Sequence, residues 1–342
     1  MIENLVEVAT QVAVLFVLMG AGAVLRMSGL LGDKAMTGMV NLLLYIVAPC
    51  VIIDSFQRPF DSAMLGSLGL ALLAAVAVHV VMMVFAKVFV RNGEEDVRRP
   101  LVLAAVFPNA GFMGFPLEQA ILGDEGVFFG VAYVIVFNVF MWSWGVYMME
   151  GKRKKEEGRR REGEGKRKKE EGRSKEGEGE SERKGGSVVW KMVVNPGTVS
   201  IAIGLSLFLL SVRLPEVLSA PVHHLANMNT PLAMTVVGYS LMGAKFGRVA
   251  KIGAVYTASL LRLAVSPLLA LAILYPFAGH IDREMAVATV IAASAPVGAM
   301  VAMFSVSFRR DVDVGVAIVS ATTLASIVTM PPFIALALSV FG

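Results

Sequence analysis

Apolar runs of about 18 residues or more recur from one end of this 342-residue chain to the other. As a helix, each would cross a hydrocarbon core of about 30 Å. Lipid leaves the backbone few alternatives to helix, because every N–H and C=O must find its partner inside the protein. Ten segments fit: Leu5–Leu25, Met36–Phe56, Met64–Val90, Leu101–Leu122, Val127–Met149, Asn195–Val212, Ala226–Met242, Val249–Phe277, Met285–Phe308 and Val312–Phe341. The first lacks a preceding basic flank and a small-residue cleavage site, so it reads as a span and not as a secretory signal. Hydrophobic residues form 56% of the chain, above the usual soluble composition. The expected fold class is an all-α polytopic membrane protein with ten transmembrane helices.

Charge organises these segments. Between the fifth and sixth lies GKRKKEEGRRREGEGKRKKEEGRSKEGEGESERKGG, from Gly151 to Gly186, with GKRKKEEGR repeated at Gly151 and Gly165. It has no large apolar residue and cannot offset the entropy of ordering, so a disordered linker over 150–187 is expected between five-helix units 1–149 and 188–342. Its interleaved acids argue against nucleic acid as a partner. With the linker in the cytoplasm, that side also collects Arg26, Lys34, Lys87, Arg91, Arg98, Arg99, Lys245, Arg248, Lys251, Arg309 and Arg310. The other side keeps Arg58, Arg213 and Arg283. The positive-inside rule then places both termini outside a cell membrane. Two five-span halves in this arrangement must be inverted, a recurring transporter design. Laying Gly130-Val131-Ala132 on Gly315-Val316-Ala317 equates Asn109 with Ser294, Gly111 with Pro296 and Asn138 with Thr323.

Two spans carry residues that damage helices. FPNAGFMGFP, Phe107–Pro116, places Pro108, Gly111, Gly114 and Pro116 around Asn109, and AASAPVGAM in the ninth span places Pro296 and Gly298 after Ser294. Proline removes a backbone donor, and broken membrane helices persist only inside protein or beside a cavity. Matched breaks in inverted halves point to a midplane site where half-helix amino termini offer N–H groups to an anion.

NAGFMGFPLEQAILG (from Asn109), NPGTVSIAIGLSLFLL (from Asn195), NMNTPLAMTVVGYSLMGAKF (from Asn227) and SAPVGAMVAMFS (from Ser294) resemble the fourth, sixth, seventh and ninth spans of the auxin efflux carrier family. That family includes plant auxin exporters and bacterial and archaeal organic-acid permeases, within the bile acid/arsenite/riboflavin transporter-like superfamily. The resemblance implies broken, crossing helices 4 and 9, a scaffold of helices 1, 2, 6 and 7, and a transport domain of helices 3–5 and 8–10 moving as an elevator. It also implies a homodimer joined through the scaffolds and a substrate such as an indole carboxylate or a dicarboxylate like malate. Plant members have a second proline where this chain has Val301, so a softer break is expected in the ninth span.

Candidate substrate contacts are Asn109, Gly111, Gly114, Pro116, Ser294, Pro296 and Gly298 at the breaks. Asn138 with Thr322 and Thr323 would line the cavity beside them, and Arg262, midway along the eighth span, would be a charge partner for a carboxylate. His79, Glu118 and Asp54 are candidates for proton coupling. Asn227, Asn229 and Thr230 before Pro231 read as a helix N-cap, and His223-His224 as part of an outer loop. No phosphate loop, GxSxG, HExxH or zinc-spaced histidine pair is present, and the one cysteine, Cys50, cannot form an intrachain disulfide. No enzyme activity, cofactor or metal is expected. The expected function is secondary transport of a small organic anion; the alternatives are a sodium-coupled carrier of the same superfamily, or a receptor or channel.

Overall fold

The computed structural model describes residues 2–150, 196–244 and 246–342. The charged segment between the halves lies outside them. The described residues are helical throughout their ordered elements, with no β-strand, and six helices are long and apolar enough to cross a membrane. In chain order the helices are α1 (Ile2–Met27), α2 (Asp33–Ser55), α3 (Ser62–Phe89), α4 (Glu95–Val106), α5 (Ala110–Glu150), α6 (Pro196–Leu209), α7 (Glu216–Asn227), α8 (Asn229–Leu241), α9 (Gly253–Phe277), α10 (Arg283–Ser294), α11 (Met300–Ser307) and α12 (Val312–Phe341). Side chains such as Leu73 on α3, Val17 on α1 and Val328 on α12 are exposed and apolar, the outward face suited to lipid.

Local chemistry accounts for the helix ends and irregularities. Asp61, Asp282 and Asp311 cap α3, α10 and α12 by accepting from the first-turn N–H groups of Ala63, Met285 and Val314. Widened π-helical turns occupy Leu43–Val47, Ala110–Gly114, Met141–Gly145 and Leu261–Val265. In all but the third a proline (Pro49, Pro116, Pro267) follows as the second residue beyond the turn. A proline ring collides with the carbonyl four residues earlier, here the middle of the widened turn, and the extra residue relieves that collision. Gly123 bends α5 back on itself with φ at 67°, a conformation that favours glycine. The limbs 110–122 and 124–150 therefore form a hairpin joined by one residue, where the sequence suggested two spans with a loop.

The second half of α4 and nearly all of α10 are completely buried, and the other long helices surround them. α10 is rich in alanine and α4 ends on Ala104 and Ala105 before Val106, so neighbouring backbones can approach closely. Away from this centre, α1 packs on α8 and α2 on α6. Gly22 and Gly238 set the first contact. A Cβ on Gly238 would overlap the Met19 carbonyl oxygen, and one on Gly22 would overlap that of Thr235. Gly204 of α6 receives the Phe56 ring in the second contact.

Two sequence readings need correcting. His223 and His224 lie within α7, which continues through Pro221 in its interior. Asn227 ends α7, Met228 makes the junction, and α8 begins without a side-chain N-cap.

At the end of the protein where α5 stops, Arg310 closes the bundle. Its Nε and Nη2 donate to the Met149 carbonyl at 3.0 and 2.6 Å, Nη2 also to the Glu150 carbonyl at 3.0 Å, and Nη1 to Asp96. This cation meets the negative carboxyl end of α5 and joins it to α4 and the α11–α12 turn. Arg310→Ala is expected to lower stability by roughly 2–3 kcal/mol, from lost charge-assisted bonds. Thermal unfolding of the detergent-solubilised protein checks this.

Candidate functional site

The chain leaves helix at Phe107–Asn109 and again at Ala295–Ala299, and the two breaks pair with each other. The Asn109 N–H donates to the Pro296 carbonyl at 2.7 Å, and the Gly298 N–H donates to the Phe107 carbonyl at 3.0 Å. This short antiparallel bridge is centred on Pro108 and Val297. Its symmetry equates Asn109 with Gly298 and Phe107 with Pro296, not Asn109 with Ser294 as the Gly-Val-Ala register suggested. The prolines fit because the bridge asks nothing of their missing N–H groups. Gly298 fits because a Cβ there would stand 2.8 Å from the Pro108 carbonyl oxygen. The Val297 N–H is taken by Thr322 Oγ1 of α12 at 3.1 Å. Val301 is the second residue of α11, and its N–H donates to the Gly298 carbonyl at 3.0 Å, a bond that a proline there would remove.

Four helix ends meet here. α4 and α10 arrive with their carboxyl ends, while α5 and α11 depart with their amino ends. Arg262, fully buried in the widened turn of α9, serves both carboxyl ends. Its Nη1 donates to the Val106 carbonyl at 2.8 Å, and its Nη2 donates to the Ala293 carbonyl and to Ser266 Oγ. Ser266 donates in turn to the Ala293 carbonyl at 3.0 Å. One guanidinium thus satisfies terminal carbonyls from two helices and neutralises two negative dipole ends. In this conformation it is occupied by backbone rather than facing an open site.

The amino ends are arranged differently. The Asn109 carbonyl accepts from the Met113 and Gly114 N–H groups, so the first-turn N–H groups of Ala110, Gly111 and Phe112 precede any acceptor within the helix. Gly111 and Phe112 are half-buried, as are Ala299 and Met300 at the start of α11, in contrast to the buried carboxyl ends. A Cβ on Gly111 would meet open space.

The remaining predicted residues divide by location. Ser294 is buried at the end of α10, with its hydroxyl bonded to the Ile291 carbonyl of its own helix. Asn138 likewise donates to Val134 in its own helix at 2.9 Å, and Thr323 to Val319 at 2.8 Å. Gly114 and Pro116 shape the first turns of α5, with Glu118 one turn further on. His79 lies behind the bridge among aromatic rings, 4.8 Å from Tyr133 and 6.1 Å from Phe107 between centroids. Its Nδ1 meets the Ala75 carbonyl at 2.8 Å, which requires the proton on that nitrogen. Asp54 is remote from the bridge. It pairs with His223 at 2.9 Å and lines a small outer cleft with Gln119, Asp124, Asn227, Asn229 and Thr230.

Sequence reasoning missed Ser266 and Phe107. The signal for Ser266 was its spacing of four residues from Arg262, which puts both on one helix face. No group of three or more His, Cys, Asp or Glu side chains able to hold a metal occurs among the described residues.

Comparison with known proteins bears on this arrangement. No curated protein matches the chain. A sequence model of the family described as membrane transport protein matches residues 7–334, running through both breaks, Arg262 and every long helix except the ends of α1 and α12. The chain therefore belongs to the membrane transport protein family, that of the auxin efflux carriers, and is a multi-pass membrane transporter and not an enzyme.

Proposed function

We propose that this protein is a secondary transporter of a small organic anion, whose carboxylate is received at the amino ends of α5 and α11. The observation that carries this reading is the division of labour at the bridge. Arg262 occupies the two carboxyl ends, and the half-buried first turns at Gly111–Phe112 and Ala299–Met300 leave amide groups and positive dipole ends for an anion. In this reading the chain makes ten passes as two inverted five-pass repeats. Arg262 positions the helix ends and the residues around Asn109 and Gly111 contact substrate. The cleft beside Asp54, on the side read as outer, has a volume of about 60 Å³ and is too small to hold such an anion.

The same reading takes α1, α2, α6, α7 and α8 as a scaffold, dimerising with a second copy, and the remaining helices as the moving body of an elevator. The contact of α1 with α8, and of α2 with α6, fits a common scaffold, and α1 also packs on α12 of the moving body. Cytoplasmic placement of the charged segment, with both termini outside, follows from the bias of basic residues among the loops. Indole carboxylates and dicarboxylates are the substrate classes proposed.

The test is uptake of a panel of radiolabelled carboxylates into proteoliposomes. Gly111→Ala is expected to leave thermal stability unchanged, since nothing lies within 4 Å of the new methyl. It should still cut uptake several-fold by crowding the amide groups. Asn109→Ala should reduce uptake as well. Full uptake in both variants would remove the anion site from this position.

A further inference from the structure

The limb 110–122 carries one acidic residue, and its side chain is fully enclosed. Both carboxyl oxygens of Glu118 are buried, and neither has a hydrogen-bond partner. Glycines make room for it. A Cβ on Gly130 of the facing limb would overlap the carboxyl group, and one on Gly114 would stand 3.6 Å from Oε1. Gly126 and Gly130, four residues apart, let the limbs close around it.

No charge compensates it. The elements packed on this hairpin carry Glu95, Asp96, Arg98 and Arg99 (α4), Arg283 and Glu284 (α10), His79 and Lys87 (α3), Asp33, Lys34, Tyr45, Cys50 and Asp54 (α2), Glu3, Glu7 and Arg26 (α1), and Tyr239 (α8), and Arg58 lies over the Phe128 ring. The hairpin itself adds Asp124, Glu125, Tyr133, Tyr147 and Glu150. No hydrogen bond or ion pair from these residues reaches either Glu118 oxygen. An ionised carboxylate seated in apolar surroundings without a cation or donor is strongly disfavoured, and a carboxylic acid is tolerated there. Among the described residues it is the only Asp or Glu that is buried. Its chain neighbours Phe115 and Gln119 already line the outer cleft, together with Val127 of the opposite limb.

We propose that Glu118 is a proton-binding site: it holds a proton while seated in the Gly130 notch and exchanges it when the hairpin turns it toward the outer cleft, so that a proton travels with the cycle. The coupling half of this proposal rests on the transporter reading above; the occupancy half does not. Infrared difference spectroscopy of the reconstituted protein at neutral pH should show the carbonyl stretch of a protonated carboxylic acid. The band should persist in Asp54→Asn and vanish in Glu118→Gln. Should Glu118→Gln not fold, labelling wild type with 13C-glutamate must shift the band, and 13C-aspartate must leave it in place. Absence of the band, its survival in Glu118→Gln, or a shift with labelled aspartate instead would overturn the assignment. For coupling, the ratio of carboxylate uptake with and without an imposed pH gradient should exceed unity in wild type and fall to parity in Glu118→Gln. A gradient response retained in Glu118→Gln would overturn the coupling. If wild type took up no carboxylate, the anion reading would fail and coupling with it, while the infrared result would still decide whether the proton is there.

Discussion

Replacing Arg262 with alanine should cost roughly 3–5 kcal/mol of stability and abolish uptake, the largest loss expected from one side chain here. The reasoning follows what remains. The Val106 and Ala293 carbonyls would lose a charged donor in a region water does not reach, and Ser266 would lose a partner. Two helix carboxyl ends that face each other across the bridge would then have no cation between them. Lysine restores charge without the forked geometry, so Arg262→Lys should recover part of the stability and less of the transport. Measuring both quantities is informative: a guanidinium that served only as a substrate partner would leave the melting temperature of the empty transporter unchanged on removal.

Gly238→Ala should be the most damaging conservative change at the edge of the bundle. The added methyl would collide with the Met19 backbone, which cannot swing aside as a side chain can, so α1 and α8 must separate along their contact. Overpacking of this kind costs about 1–3 kcal/mol. Gly20 lies on the same α1 with nothing within 4 Å of its would-be Cβ, so Gly20→Ala is the matched control and should fall within roughly 0.5 kcal/mol of wild type. Thermal unfolding in detergent at several protein concentrations compares them. Equal melting temperatures for the two variants would show that the close crossing is not a determinant of stability.

The existence of the helices and of both breaks was legible in the sequence because lipid solvation and proline chemistry act locally. Apolar length announces a span, and Pro108 and Pro296 announce interruptions whatever surrounds them. What could not be read was which backbone atoms meet. Small residues repeat so often in such helices that Gly-Val-Ala matches at 130 and 315 equate Asn109 with Ser294, while the symmetry of the bridge equates it with Gly298. The role of Arg262 was hidden for a related reason. Its depth in the span was evident, but its partners are main-chain carbonyls that every residue possesses, and no side-chain pattern marks them. The α7 helix was missed because Pro221 and the paired histidines look like loop chemistry, although the helix runs through Pro221 from Glu216 to Asn227.

Gly123 carries a mechanical consequence. One residue joins the two limbs of a 41-residue element that runs from the bridge at Asn109, out to the turn, and back to Glu150. A connection that short has no slack, so the hairpin is a lever with its load at the bridge and its handle where the charged segment starts. Displacement at the crossing is therefore also displacement at Glu150, where the element ends.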